Sequence, residues 1–329
     1  MCRKCLVLLL SFLSAVILTG CGKTDDPVSK SGFYFDTVIT VTIYETDSRT
    51  ERETLLNECL SLCEEYEHLF SRTIEGSDIY RINHANGQPV EVSEETASLL
   101  ETALYYSRLT NGTFDCSIAP LSDIWDFHRK DTAVPSGQDI AEACSHVDYR
   151  KILLRGNTVT LTDPEMALDL GGIAKGYIAD QLKAFLVSEG TGSALINLGG
   201  NVLAVGSKPD GTAFRIGIQR PFADASDSIA AAALNDQSLV TSGIYERCFE
   251  ENDILYHHLL DPAGGYPFDN GLYSVTILCE SSAEADALST SCFGLGMEKG
   301  MELIESMDDT EALFITEDYQ LHYSSGFPR

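Results

Sequence analysis

The spacing of apolar positions changes several times along the chain, and each change marks an element. Leu6 to Leu18 is apolar except for Ser11 and Ser14. A helix needs about 20 such residues to cross a hydrocarbon core of roughly 30 Å, so this run is too short to span. It has the length of the apolar stretch of an export signal. Thr37 to Tyr44 alternates and is rich in β-branched residues, which predicts a strand. Ser48 and Glu51 form a capping box that opens a helix to about Phe70. Ser77 to Asn83 predicts a short helix, and Ser93 caps a longer one that stops near Asn111-Gly112. Ile152 to Leu161 predicts a hairpin turning at Gly156-Asn157. Ala167 to Leu170 predicts a short strand entering Gly171-Gly172, and a helix follows from about Ile173 to Ser188. Ala194 to Val205 predicts two strands around Gly199-Gly200. Further strands are expected at Phe214–Ile218, Ser238–Thr241, Tyr256–Leu260, Ser274–Cys279 and Ala312–Thr316, and helices at Ala283–Leu295 and Met297–Met307. Strands outnumber helices and often follow one another directly. That predicts an α+β fold with much antiparallel sheet rather than a doubly wound parallel sheet.

The first segment carries its own instructions. Arg3 and Lys4 precede the apolar run, and the run ends in Leu18-Thr19-Gly20-Cys21. Small residues just before a cysteine resemble the lipobox of bacterial lipoproteins. The resemblance implies cleavage before Cys21, two acyl chains on that cysteine, and anchorage to the extracytoplasmic face of a cell membrane. Residues 1–20 are then the signal, and 21–30 are the lipidated cysteine with a polar tether containing Pro27. Residues 31–329 form the functional domain, long enough for a well-filled core.

Charge narrows the function. The net charge is −28, and losing Arg3 and Lys4 makes the remainder more acidic still. Nucleic acid is therefore not a partner, and a basic patch for anionic lipid is not expected. An anionic substrate would need a metal ion or backbone N–H groups. Beyond Cys2, Cys5 and Cys21, seven scattered cysteines remain with no CxxC pair, so no disulfide scaffold is expected.

Several short patterns carry chemistry. In Asp169-Leu170-Gly171-Gly172-Ile173-Ala174-Lys175-Gly176, two glycines lie between a predicted strand and a helix. A helix start offers free N–H groups to phosphate, and Lys175 adds a charge. A tight turn would use the same glycines. Asp286 and Thr290 are four apart on a predicted helix and point the same way. A carboxylate and a hydroxyl there suit Mg²⁺, though the helix dipole alone also favours Asp286. His258, before Leu259-Leu260-Asp261-Pro262, is a candidate base or phosphate contact, although a lone histidine is more often structural. Gly112-Thr113-Phe114-Asp115, Asn197 to Asn201, and Ser242-Gly243 with Tyr245-Glu246-Arg247 complete the set.

Together these patterns resemble the ApbE family of FAD:protein FMN transferases. The resemblance runs through Phe35-Asp36-Thr37, Phe70-Ser71, Ser77-Asp78-Ile79 and Asn83. It continues through Gly112 to Asp115 with Pro120, Leu121 and Trp125, and through Asp169 to Gly176 with Asp180. The remaining matches are Asn197 to Asn201, Ser242-Gly243 with Arg247, His258 to Pro262, and Asp286 with Thr290. It implies a T-fold-like α+β architecture of mostly antiparallel sheets and packed helices. It implies FAD as substrate, Mg²⁺, transfer of FMN to a threonine hydroxyl of an exported apo-flavoprotein, and release of AMP. Acceptors by family are subunits of membrane redox pumps or other FMN-binding domains. By resemblance, Gly172, Asp286 and Thr290 hold the metal. Phe35, Thr113, Phe114, Asp115, Asp169, Lys175 and Leu260 contact FAD, and His258 and Asp286 are catalytic. Many members have Met-Gly-Thr where Phe35-Asp36-Thr37 stands, and an aromatic residue where Thr73 stands. Two other activities stay open, an FAD pyrophosphatase giving FMN and AMP, and a flavin-binding lipoprotein without turnover.

Overall fold

A computed structural model describes residues 26–45, 49–127, 129 and 133–328. Cys21, the export signal and the capping residue Ser48 lie outside the described residues. The chain opens with a hairpin, β1 (Val28–Tyr34) and β2 (Thr37–Glu45), then α1 (Arg49–Phe70), α2 (Asp78–Asn83), β3 (Val90–Glu91) and α3 (Glu94–Leu109). Next come α4 (Ala119–Trp125), α5 (Gly137–Ser145), the hairpin β4 (Ile152–Arg155) and β5 (Thr158–Leu161), and α6 (Ala174–Ser188). Strands β6 (Ser193–Leu198), β7 (Asn201–Gly206), β8 (Phe214–Gln219), β9 (Ser228–Leu234), β10 (Ser238–Gly243), β11 (Cys248–Glu251), β12 (Ile254–His257) and β13 (Leu272–Cys279) follow in succession. Helix α7 (Ser282–Glu305), β14 (Glu311–Thr316) and β15 (Leu321–Tyr323) end the chain.

The fold is α+β, and its ladders are antiparallel. Eight strands form the main sheet in the order β1-β2-β6-β7-β10-β13-β14-β15. Its two faces are covered by different material. On one face Ile39, Val41 and Ile43 of β2, with Ile277 and Phe314, meet α1, α3, α6 and α7. On the other, Leu278, Leu313 and Ile315 meet the β8–β9 hairpin through Phe214, Ile218 and Leu234. Strands β13 and β14 are buried on both faces, so Ala312 to Ile315 of β14 is continuously apolar and β13 buries even Ser274 and Thr276. A third cluster, Leu121, Trp125, Ile140 and Leu260, ties α4 and α5 to the β11–β12 hairpin. The seven cysteines are all free thiols. Among the described residues no helix is long and apolar enough to cross a membrane.

Most expected elements are present, and the exceptions have physical causes. The tether ends before residue 30, because Val28 to Lys30 already pair with β2. Pairing, not a hydrophobic pattern, makes that strand. The strand expected at Ala167–Leu170 is a single bridge from Ala167 to Ile118. The Asn83 side chain bonds both the N–H and the C=O of Leu168, at 2.7 and 3.0 Å, and so replaces a neighbouring strand. The strand expected at Tyr256–Leu260 ends at His257, since Leu259 C=O turns to Phe268 N–H and Leu260 bridges Pro267. The two helices expected from Ala283 onward run together as α7, broken at Gly296, whose φ of 76° is not helical.

Candidate active site

The site lies where α6 and α7 cross at their N-terminal turns. Gly176 makes the crossing possible. A Cβ there would stand 2.2 Å from the Ser282 carbonyl oxygen, so the two backbones meet at a distance only glycine allows. Asp180, one turn along α6, accepts from Ser282 N–H at 2.8 Å, Ala283 N–H at 2.9 Å and the Ser281 hydroxyl at 2.9 Å. It fixes the start of α7 and therefore the direction in which Asp286 and Thr290 project.

Asp286 is 4% exposed. Its Oδ2 accepts from Gly176 N–H at 3.0 Å and lies 3.8 Å from Lys175 Nζ. Burial raises its pKa above the usual carboxylate range, against the pull of Lys175 and of the Gly176 N–H. Lys175 also donates to Gly171 C=O at 3.0 Å. Thr290 Oγ1 is 3.2 Å from the Ser242 hydroxyl of β10, which bonds Ser289 at 2.8 Å. A side chain at Gly172 would meet Phe114 at 3.2 Å and Thr290 Oγ1 at 3.6 Å, so Gly172, Phe114 and Thr290 are neighbours. The three residues expected to hold a metal are thus on one crossing. Among the described residues no three His, Cys, Asp or Glu side chains cluster as a ligand set. A cation here would rest on one carboxylate with hydroxyl and carbonyl oxygens. That donor set fits Mg²⁺, which prefers hard oxygens and completes its shell with water and phosphate. Lys175 stands 3.8 Å from the buried carboxylate and does not offset its desolvation, which leaves room for a closer cation.

His258 feels the same field. Its ring lies 3.3 Å from Arg247 C=O through Nδ1. Burial, then Arg247, His257 and Lys175, lower its pKa to about 3. The residue keeps part of its surface in water, which offsets some of that drop. Glu246 lies within electrostatic reach of Lys175, Arg247 and Asp286, and burial outweighs the two cations to raise its pKa. One side of Glu246 is open to solvent, which screens much of that rise.

The remaining expected residues have different places. Asp115 is buried and bonds Ser117 N–H at 2.8 Å, the Ser117 hydroxyl at 2.7 Å and Tyr149 N–H at 2.9 Å. Asp169 accepts from Gly171 N–H at 2.8 Å, and its own N–H donates to Cys116 C=O at 2.9 Å. Both carboxylates shape their segments. Thr113 packs on α7, because a side chain at Gly294 would stand 2.5 Å from its methyl. Leu260 belongs to the Trp125 cluster. Phe35 is on the two-residue β1–β2 turn, where Phe35 and Asp36 have φ of 53° and 57° and Glu67 accepts the Phe35 N–H at 2.6 Å. That backbone favours glycine or asparagine, so Phe35 is held there against preference. Sequence reasoning missed Arg72, which pairs with Asp123 of α4 and reaches Asp169 Oδ2 at 3.5 Å. It quoted Asp180 and Asn83 without seeing that both are scaffolding. Two surface hollows beside the β3–β5–β4 sheet, lined by Arg108, Leu153 and Arg155 among others, lie elsewhere and contain none of the expected site residues.

The ApbE family model matches residues 35–314. The chain belongs to the ApbE family. An FAD:protein FMN transferase of Klebsiella pneumoniae (strain 342) is 39% identical over 276 residues, covering 83% of this chain and 85% of the relative. One from Treponema pallidum (strain Nichols) is 32% identical over 314 residues, covering 91% and 87%. Among solved structures, the ApbE protein of Thermotoga maritima superposes with a TM-score of 0.85 at 30% identity, covering 92% of this chain and 99% of its own. The flavin transferase ApbE of Vibrio cholerae superposes at 0.82 and 29%, covering 91% and 97%. The ApbE match begins at Phe35, on the turn with the left-handed backbone, and ends inside β14, so it contains the whole crossing.

Proposed function

We propose that the chain is an FAD:protein FMN transferase that uses Mg²⁺, moves the FMN half of FAD onto a threonine hydroxyl of an acceptor flavoprotein, and releases AMP. One observation carries this reading. The α6–α7 crossing joins a helix start and a lysine, which suit a pyrophosphate, to one buried carboxylate with hydroxyl neighbours, which suits a hard cation. The curated relatives, named for that activity, agree with it.

In the reaction the acceptor oxygen attacks the phosphorus on the FMN side of the pyrophosphate. A new P–O ester bond forms, the bridging P–O bond breaks, and AMP leaves with the bridging oxygen. The hydroxyl proton passes to His258. With Nδ1–H given to Arg247 C=O, the Nε2 lone pair is the one available, a tautomer assigned from that hydrogen bond. Without substrate, the cations Arg247 and Lys175 help keep this ring a weak base. Phosphates bound beside them cancel part of that field, so the base strengthens as the substrate arrives. Asp286, Thr290 and the Gly172 carbonyl would hold Mg²⁺, which supplies charge neutralisation at the phosphate oxygens. The helix start and Lys175 orient the pyrophosphate. FAD contacts are assigned to Phe35, Thr113 to Asp115, Asp169, Lys175 and Leu260.

The test is a mass measurement. Purified protein, FAD, Mg²⁺ and a flavin-free FMN-binding domain should give a covalent FMN mass gain on that domain and one AMP per gain. AMP release without any mass gain would assign an FAD pyrophosphatase instead. FAD binding with neither product would leave a flavin-binding lipoprotein. We further propose that lipid on Cys21 holds the enzyme on the extracytoplasmic face, where exported acceptors emerge. Cys21→Ser should move it from the membrane fraction to the soluble one, and an unchanged distribution would reject the anchor.

A further inference from the structure

At the end of the main sheet where β10 stops and β13 begins, four aromatic rings form a cluster that is partly open to solvent. Phe222, from the β8–β9 loop, is 48% exposed and contacts Tyr273 at 5.2 Å and Tyr245 at 5.9 Å between centroids. Tyr319, from the β14–β15 turn, is 38% exposed and contacts Tyr273 at 5.0 Å. Arg220 lies over the Tyr319 ring at 5.9 Å. Three separate connections thus converge, and the main sheet would fold without them. Phe222 and Tyr319 both hold left-handed backbone, with φ of 59° and 61°. Aromatic residues resist that conformation, so the fold spends stability to present these two rings outward.

The cluster and the reacting groups share one end of β10, with Ser242 turned toward α7 and Tyr245 on the other face of the strand. Tyr245 packs so closely on Gly243 that a side chain there would stand 2.6 Å from its ring. Gly243 follows Ser242, which lies 3.2 Å from Thr290 Oγ1. Rings with few rotatable bonds and an arginine make a typical recognition surface, at low entropic cost. The surroundings choose the occupant. Asp224, Asp227, Glu317 and Asp318 neighbour these rings in sequence, and the chain as a whole carries −28. That charge repels anionic lipid and a second copy of the same chain.

We propose that this aromatic cluster is the docking surface for the acceptor protein, seating the neutral or basic segment that carries the hydroxyl. The proposal rests on the transferase reading above. The rings grip the segment and leave its hydroxyl to reach past Tyr245 toward Thr290 and His258. FAD does not use them.

Phe222→Asn and Tyr319→Asn test this, because asparagine accepts left-handed backbone and spares the fold. FAD affinity is read by flavin fluorescence, and transfer by mass gain on a flavin-free FMN-binding domain encoded by the same genome. Each variant should raise the acceptor KM about tenfold, the double variant more, with kcat at saturating acceptor and FAD affinity within about twofold. An unchanged acceptor KM, with wild-type transfer intact, would overturn the surface alone. A parallel loss of FAD affinity would reassign the rings to the flavin site. A wild-type dimer that dissociates in the variants, with unaltered acceptor kinetics, would give the patch to a second copy. No transfer by the wild type would overturn both this proposal and the function it rests on.

Discussion

Helices α6 and α7 cross at their N-terminal turns, but the two turns are finished differently. At α7 the protein supplies every partner. Ser281 caps the Glu284 N–H, and Asp180 takes the Ser282 and Ala283 N–H groups. At α6 the capping position is Ile173, which has no side-chain oxygen; there Ala174 N–H goes to Leu170 C=O at 2.8 Å and Gly176 N–H to Asp286 of the other helix at 3.0 Å. A capped start is a structural joint. A start without a side-chain cap, beside a lysine and a buried carboxylate, suits the anionic ligand proposed above. The joint at α7 holds the α6 start in register with Asp286 and Thr290.

The largest effect should come from the carboxylate that links them. Asp286→Asn keeps an acceptor for Gly176 N–H but removes the charge. We expect transfer to fall by at least about 10²–10³-fold, with little change in melting temperature. A steady-state assay of mass gain and AMP release checks this, and a loss under tenfold would exclude Asp286 from the chemistry.

Gly176→Ala attacks the crossing itself. A Cβ 2.2 Å from the Ser282 oxygen forces the helices apart. Overpacking of this kind costs about 1–3 kcal/mol, so the melting temperature should drop by roughly 2–4 °C for each kcal/mol. Because α6 and α7 separate, transfer should fall further than stability alone explains. An alanine variant with full activity would show that the crossing is not the site. Asp180→Ala comes next. It strips the partners from the α7 start and should cost about 1–3 kcal/mol in chemical denaturation. FAD affinity should fall only as far as Asp286 loses its position, so Asp180→Asn should recover part of both.

The contrast also explains what was legible in the sequence. The α6 helix was legible from Gly-Gly before an apolar-periodic run. Taken alone, those glycines, and Asp286 with Thr290, read equally as a tight turn and a helix start, and only the resemblance to the ApbE family joined them into a site. Helices α1 to α3 were readable from caps and stops. Strand β1 was not, because Val28 to Tyr34 is mostly polar and forms only through its ladder to β2. Strand β9 escaped because its alanines carry no alternation and gain their burial from β8. Asn83 and Asp180 lie 85 and 101 residues from partners they hold. No local pattern announces such a role. Arg72 was missed for the same reason, since Asp123 and Asp169 reach it from two other elements. The aromatic cluster needs three connections that only the sheet brings together.

The smallest effect separates two adjacent histidines. His258 is partly exposed, whereas His257 is buried against Phe293 of α7, ring centroids 5.9 Å apart. His257 Nε2 bonds Phe268 C=O at 3.0 Å, and its Nδ1 is buried without a partner. Burial lowers its pKa to about 4, against the pull of the Phe268 carbonyl and Asp269. Unfolded, the same ring titrates near the ordinary value of about 6.5. The unfolded chain therefore takes up the proton first as pH falls. The contribution of neutral His257 is complete above about pH 6.5, shrinks from there downward, and is gone near pH 4, amounting to no more than about 3 kcal/mol. Other groups titrate in the same range, so the informative quantity is the difference between wild type and His257→Gln, whose amide can still donate to Phe268. Denaturation at pH 7.5 and pH 5 should show the wild type losing more stability than the variant. Because His257 packs on α7, hydrogen exchange at pH 5 should speed up in α7 before α6. Equal losses in both proteins would mean that the buried ring tolerates its proton and that acid acts elsewhere.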